Sequence, residues 1–170
     1  MLKKAGAALV VAAGLSCLAN PASALQAYVS RIDKNPDGTA TYHFVVQTDM
    51  GETLAAGSDF VTVYNFAGLV GGSIKAPAGW AASSEEFGKT PMLNGYPMVN
   101  PVDIPALDNV TWTPGKAVGG GAKIEGFSVV TSVTATTQGE YTAAVTRSAM
   151  GKPVKQAVIG TIETPAFWPH

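Results

Sequence analysis

The stretch "AYVSRIDKNPDGTATYHFVV", from Ala27 to Val46, joins two runs of β-forming residues through a turn signal. Pro36 has the fixed φ that suits the second position of a type I turn, and Asp37 suits the third. Gly38 can take the left-handed conformation that closes a bulged hairpin. In the second run apolar and polar side chains alternate, as in a half-buried strand. The stretch therefore predicts a β-hairpin.

The centre of the same stretch also has the pattern with which a calcium loop begins. Asp33, Asn35 and Asp37 stand at alternate positions and Gly38 follows, as in an EF-hand. The last position of such a loop holds an acidic clamp residue, but here that position is Phe44. The flanks have no helical period either. A turn is therefore the favoured interpretation, and calcium binding by Asp33, Asn35 and Asp37 is the alternative.

Further short runs along the chain predict more strands. "DFVTVYNF" (Asp59–Phe66) is apolar on both faces, which is typical of a central strand. In "KIEGFSVVTSVTA", Ile124 is out of phase with Phe127, so Gly126 between them indicates a β-bulge. The pattern predicts an all-β protein, an antiparallel β-sandwich (immunoglobulin-like or jelly-roll-like) of about seven to eight strands.

The segment from Glu85 to Asp108, "EEFGKTPMLNGYPMVNPVDIPALD", interrupts this pattern. Its four prolines prevent a central strand. A loop of roughly two dozen residues is usually functional or disordered. Its apolar residues argue against disorder, so we expect it to lie packed across the sandwich, either as a cover over the core or as a binding surface. Those residues are Met92, Leu93, Tyr96, Met98, Val99, Ile104 and Leu107.

Residues 1–24 have the three parts of a bacterial secretory signal peptide. Two lysines come first, an apolar run follows, and "ASA" makes a small-x-small cleavage site. We expect cleavage between Ala24 and Leu25, leaving residues 25–170 as a single β-sandwich domain with the long Pro-rich loop at 85–108. The chain's one cysteine, Cys17, would be removed. A lipoprotein acylated at Cys17 is a minor alternative.

Composition excludes one class of partner and indicates where the protein is located. Charged residues are 14% of the chain, the net charge is −1, and no basic patch occurs, so no nucleic acid is expected as a partner. After the signal no apolar run approaches the ~20 residues of a spanning helix. The expected location is therefore secreted, either extracellular or periplasmic. Self-association stays open.

Few residues suggest catalysis. The chain has only two histidines, His43 and His170, and it contains no HExxH, nucleophile elbow or phosphate loop. Glu85 and Glu86 are adjacent, so on a strand they would point to opposite faces. We expect no catalytic residues and no cofactor, and an uncharacterised hydrolase is the third choice of function.

Aromatic side chains suggest binding instead. Trp80, Tyr96 and Trp112 are the candidate ligand-binding residues, because together they could form a platform for a sugar ring. Trp112 alternates with Val110 in "NVTWT", which equally indicates a core position. Trp168 lies in the terminal stretch.

The segment "GSDFVTVYNFAGLVGGSIKAPAGW" (57–80) resembles the motif "DFFTIYDFAG…APAGW" of small exported PEP-CTERM sorting-domain proteins of Gram-negative bacteria. "LDNVTWTPG", "IEGFSVVTSV", "GEYTAAVTR" and "IGTIETP" resemble that group in the same order. The resemblance covers nearly all of the chain after the signal. It implies an exported domain of the envelope or extracellular matrix and supplies no catalytic residues.

The resemblance stops at "TPAFWPH", where members of the group continue with a Pro-Glu-Pro motif, an apolar helix and a basic tail. Anchoring by that route is therefore not expected. The favoured function is a secreted, non-catalytic structural or adhesive component of the bacterial cell envelope or extracellular matrix, with extracellular polysaccharide or other envelope proteins as partners. A carbohydrate-binding module is the alternative.

Overall fold

A computed structural model describes residues 24–167, and none of these residues is helical. The strands are β1 (Gln26–Lys34), β2 (Ala40–Gln47), β3 (Glu52–Thr53), β4 (Phe60–Phe66), β5 (Trp80–Glu85), β6 (Met92–Leu93), β7 (Tyr96–Pro97), β8 (Asp108–Pro114), β9 (Lys123–Thr131), β10 (Thr136–Ala149) and β11 (Lys152–Pro165). All of the pairings are antiparallel. The predicted all-β sandwich is confirmed.

Two sheets form the layers of the sandwich. The small sheet has the order β1-β2-β9. The large sheet has the order β11-β10-β4-β8-β5, and β3 pairs with β10 beside this path. Strands β6 and β7 form a separate two-stranded hairpin.

Aromatic rings from both sheets meet in the core. The Trp112 ring, from the large sheet, lies 5.3 Å from the rings of both Phe44 and Phe127, from the small sheet. Tyr42 packs edge-on against Phe66 at 5.4 Å. Offset and edge-to-face contacts of this kind stabilise a core beyond the area that they bury.

The hairpin between β1 and β2 has the predicted turn. The amide of Gly38 donates to the carbonyl of Asn35 (3.1 Å), and the amide of Asn35 donates to the carbonyl of Thr39 (2.8 Å). Gly38 has a φ of 83°, the left-handed conformation that a glycine tolerates without strain. The prediction of a bulged hairpin is confirmed.

The predicted bulge in β9 is also present. Phe127 lies opposite Phe44, whereas Ile124 lies opposite Val46, so β9 has one residue more than β2 over this interval. Gly126 has a φ of 98° within it. The extra residue returns Ile124 to the core side, where it packs against the hydrophobic cluster.

Strand β4 is central, as its apolar pattern predicts. It lies between β10 and β8, and six of its seven residues are buried. Val61 and Val63 contribute to the core, whereas Thr62 and Tyr64 point to the opposite face of the sheet. Burial on that second face requires another covering element.

The predicted signal peptide comprises residues 1–24, and its residues 1–23 lie outside the described range, as do Trp168 and His170. Leu25, the residue predicted to follow the cleavage site, is buried, and its carbonyl accepts a hydrogen bond from the Tyr141 hydroxyl (3.0 Å). No helix capable of spanning a membrane occurs between residues 24 and 167.

Candidate binding surface on the large sheet

The element that covers the large sheet is the segment 86–107, between β5 and β8, called the covering segment below. It lies over a polar layer formed by Thr62, Tyr64, Thr111 and Thr142, all of which are buried. The Tyr64 hydroxyl contacts the Thr90 hydroxyl (2.8 Å) and donates to the carbonyl of Lys89 (3.0 Å). The expectation that this segment packs across the sandwich is confirmed, although what it covers here is polar.

Two asparagines hold the covering segment in place. Asn109, on β8, is fully buried, and its amide nitrogen donates to the Glu86 carbonyl (2.9 Å) and to Asp103 (3.0 Å). Asn65 donates to the carbonyl of Val102 and accepts from the amide of Ile104, both at 2.7 Å. Because Asn109 is buried, the loss of a partner would leave its amide group desolvated, so its hydrogen bonds hold the segment in place.

Steric fit adds to this attachment. Gly88 packs directly on the ring of Tyr64, and a Cβ atom at position 88 would overlap the ring. The amide of Gly88 donates to Asp103 (2.8 Å), so the glycine is held by a hydrogen bond as well as by contact. The Nζ atom of Lys89 lies 4.6 Å from the centre of the Phe60 ring, within the range of a cation–π contact.

The covering segment presents large apolar side chains to solvent. Six of them are exposed by between 38% and 76%. They are Phe87, Met92, Leu93, Tyr96, Val102 and Ile104. Several exposed large apolar side chains on one surface segment mark it as a candidate interaction site.

Three of these side chains, Met92, Leu93 and Tyr96, are on the β6–β7 hairpin. Its two-residue turn is Asn94-Gly95, with φ values of 50° and 83°, the pattern of a type I′ turn. Leu93 and Tyr96 lie directly opposite each other across the hairpin. Because the turn chemistry is ideal, the hairpin presents both side chains in one defined arrangement.

Two grooves border the covering segment. One, of about 310 Å³, lies between Met92 and Met98 of the segment and Phe60, Ala144 and Gln156 of the large sheet. The other, of about 350 Å³, lies at the opposite end, where Val102 and Ile104 face Phe167. Methionine side chains adapt to varied apolar partners, which suits the first groove to binding.

The aromatic platform predicted from Trp80, Tyr96 and Trp112 is not assembled. Trp112 is only 1% exposed, and its indole nitrogen donates to the carbonyl of Lys75 (3.1 Å) inside the core. Its assignment to ligand binding is wrong, since an alternating strand position places it between the sheets. Trp80 is partly buried against Phe127 at 5.0 Å. Tyr96 alone of the three is highly exposed.

The calcium alternative does not fit the turn. Asp37 accepts hydrogen bonds from the amide and hydroxyl of Thr39, and Asn35 donates to the hydroxyls of Thr39 and Thr41. Asp33 instead contacts Arg31 at 2.9 Å and His43 at 3.0 Å. Within residues 24–167 no group of three or more His, Cys, Asp or Glu side chains could hold a metal ion.

One constellation has the residue types of a nucleophile triad but a different geometry. The Ser30 hydroxyl donates to the backbone carbonyl of His43, and its contact is therefore not with the imidazole ring. Asp33 and Arg31 both contact the Nε2 atom of His43, at 3.0 and 3.2 Å. In a triad the carboxylate and the nucleophile occupy different ring nitrogens.

The two carboxylates that are buried among residues 24–167 have structural partners. Glu52 is paired with Arg147 at 2.8 Å, and it also accepts the amide of Asp49. Asp59 is paired with Lys155 and accepts hydrogen bonds from the hydroxyl of Thr146 and the amide of Ala55. Glu52 ties β3 to β10, and Asp59 ties the loop before β4 to β10 and β11.

Comparison with protein-family models, curated proteins and solved structures gave no match. The resemblance to the PEP-CTERM group therefore stays a prediction from the sequence motifs.

Proposed function

We propose that this protein is a secreted, non-catalytic structural or adhesive component of the bacterial cell envelope or extracellular matrix, and that the covering segment makes its attachment. The observation that supports this proposal is the outward display of six large apolar side chains on a backbone anchored by side-chain hydrogen bonds. Recognition concentrates in loops that a rigid scaffold positions.

The anchoring matters for affinity. A loop that is already ordered loses less conformational entropy on binding than a free one, so more of its contact energy appears as binding. The hydrogen bonds of Asn65 and Asn109 supply this order before any partner arrives.

The kind of partner follows from the exposed side chains. Four of the six are aliphatic or thioether groups, which pack against apolar protein surface. We favour an envelope or matrix protein for this reason. Binding of extracellular polysaccharide is the second candidate, and it depends on Tyr96, whose exposed ring offers a face on which a sugar could stack.

The experiment is retention of the labelled mature protein on extracellular matrix isolated from the producing cells. Tyr96→Ala and Leu93→Ser should each reduce retention about tenfold, the loss that corresponds to about 1.4 kcal/mol at a binding hot spot. Tyr28→Ala, at an exposed tyrosine on the small sheet, is the matched control and should bind normally. Equal retention of all three variants contradicts the proposal.

Competition then separates the two kinds of partner. If soluble polysaccharide from the same matrix releases the protein and protease treatment of the matrix has no effect, the partner is the polymer. If protease treatment abolishes retention, the partner is a matrix protein.

Secretion has its own test. Fractionation of the producing cells, with mass measurement of the mature chain, should yield a species that begins at Leu25 in the medium or periplasm. An acylated Cys17 in the membrane fraction would move the protein to the lipoprotein class.

A further inference from the structure

The edge strands of the two sheets differ in how they are protected against pairing with another chain. An edge strand has unpaired amide and carbonyl groups that can pair with another chain, and proteins protect such edges with lysine, proline, bulges or covering loops. The large sheet ends in β11 and β5, and the small sheet ends in β1 and β9.

The two edges at β11 and β1 have such protection. Strand β11 begins with Lys152, Pro153 and Lys155 within four residues. Strand β1 has a register shift between Val29 and Arg31, which interrupts a regular edge. Charged side chains and a bulge both disfavour the addition of a strand.

The edge at β9 is covered by the chain itself. The amide of Lys75 donates to the carbonyl of Ser128 at 2.8 Å, and the amide of Ser128 donates back at 3.2 Å. Leu69 makes a second isolated bridge with Thr131. These contacts occupy the backbone groups that the edge would otherwise present.

Strand β5 has none of these devices. Its six residues pair one by one with β8 without a register shift, and no other described strand pairs with it. Its middle four residues, "AASS" (81–84), are small, uncharged and exposed. A straight, uncharged edge of this length is open to strand addition.

Charge at the two ends of β5 favours a second copy of the same chain as the added strand. Glu85 and Glu86 are at its C-terminal end. At its N-terminal end the amide of Gly115 donates to the carbonyl of Gly79 at 2.7 Å, which places Lys116 beside that end. None of the ion pairs among the described residues uses these three side chains.

We propose that β5 pairs antiparallel with β5 of a second copy, with the two-fold axis at Ser83, so that Ser83 of each copy lies opposite Ser83 of the other and the two large sheets become one continuous sheet. Antiparallel pairing of an edge with itself is isologous, so the acidic end of each strand meets the Lys116 end of the other. The dimer does not depend on what the covering segment binds.

The experiment is sedimentation equilibrium of the mature chain over a range of concentrations. The unaltered protein should be a dimer. Ser83→Lys places two like charges together at the middle of the new ladder and should weaken dimerisation at least tenfold, with an unchanged melting temperature. Val154→Lys, an exposed change on the protected β11 edge, is the control and should stay dimeric.

A charge exchange tests the orientation. Glu85→Lys and Lys116→Glu should each weaken the dimer severalfold, and the double variant should recover it, since the pair is restored in reverse. A monomeric unaltered chain overturns the proposal. A dimer that persists in Ser83→Lys but dissociates in Leu93→Ser also overturns it, because the two copies then contact each other through the covering segment.

Discussion

The amide nitrogen of Asn109 donates a hydrogen bond to a carboxylate oxygen of Asp103 across 3.0 Å. The other Asp103 oxygen accepts the amide of Gly88 at 2.8 Å, and the Asn109 carbonyl oxygen accepts the amide of Asn65 at 2.9 Å. This pair therefore joins both halves of the covering segment to β4 and β8. The outward display of apolar side chains depends on it.

Asn109→Ala should release the covering segment. The change removes the donors to Glu86 and Asp103, and the loss of these part-buried hydrogen bonds costs about 1 kcal/mol each. We expect a lower free energy of unfolding in urea and faster proteolysis within 86–107. Ser84→Ala, an exposed polar position on β5, should change neither measurement. An Asn109→Ala variant as protease-resistant as the unaltered protein would show that the anchor is dispensable.

Gly88→Ala should act on the same contact through steric overlap. The added methyl group meets the buried Tyr64 ring, so the ring or the segment must shift, at a cost of about 1–3 kcal/mol for overpacking. Thermal unfolding should show a lower melting temperature. Gly71→Ala is a matched control, since no atom lies within 4 Å of the added group and Gly71 has no positive φ. Equal effects of the two changes would rule out the Tyr64 contact as the cause.

Gly38→Val should destabilise the β1–β2 hairpin. A β-branched residue at a φ of 83° is strained, and the expected loss is on the order of 1 kcal/mol or more. Gly38→Asn should cost much less, because asparagine tolerates the left-handed conformation. Chemical denaturation of both variants checks this order. Equal losses would mean that conformational strain is not the cause.

Tyr42 should lower the free energy of unfolding at high pH. Its hydroxyl is buried without a hydrogen-bond partner among the described residues, and burial, followed by the charge of Glu163, raises its pKa to about 12. The folded state keeps this proton while the unfolded state releases it near pH 10, so stability should decline between those two values. Below pH 10 the effect is absent.

Tyr42→Phe removes the unsatisfied hydroxyl. The variant should be as stable as the unaltered protein at pH 7 or more stable by about 1 kcal/mol, and it should lose less stability between pH 10 and 12. Tyr64 and Tyr141, whose pKa values burial also raises, will preserve part of the decline. Urea denaturation of both proteins at several pH values measures how much stability each loses. An unchanged pH profile would contradict the assignment to Tyr42.

The features that sequence analysis predicted correctly depend on local rules. Pro36, Asp37 and Gly38 specify their turn within a few residues, and the phase change at Gly126 specifies its bulge without reference to other strands. The central place of β4 follows from apolar side chains on both faces. In each case the determining information lies within one short stretch.

The candidate site depended on distant contacts and was only partly predictable. Thr142 looks like a solvent-facing residue in an alternating strand, and nothing local indicates that the covering segment buries it. Asn65 and Val102 are separated by 37 residues along the chain, and their hydrogen bond has no sequence signal. Of the six displayed side chains, Phe87 and Val102 were not among the apolar residues that the sequence pattern indicated for this segment. Trp112 occupies an inward-facing position of an alternating strand, and it is therefore buried and does not serve as a ligand-binding residue.

The most direct test of the binding surface is hydroxyl-radical footprinting of the protein on isolated matrix. Met92 and Tyr96 report on the covering segment, and the exposed Met50 and Met150 serve as controls in the same molecule. We predict that matrix binding lowers oxidation of Met92 and Tyr96 severalfold and leaves Met50 and Met150 unchanged. Unchanged oxidation of Met92 and Tyr96 in the bound protein would contradict the account.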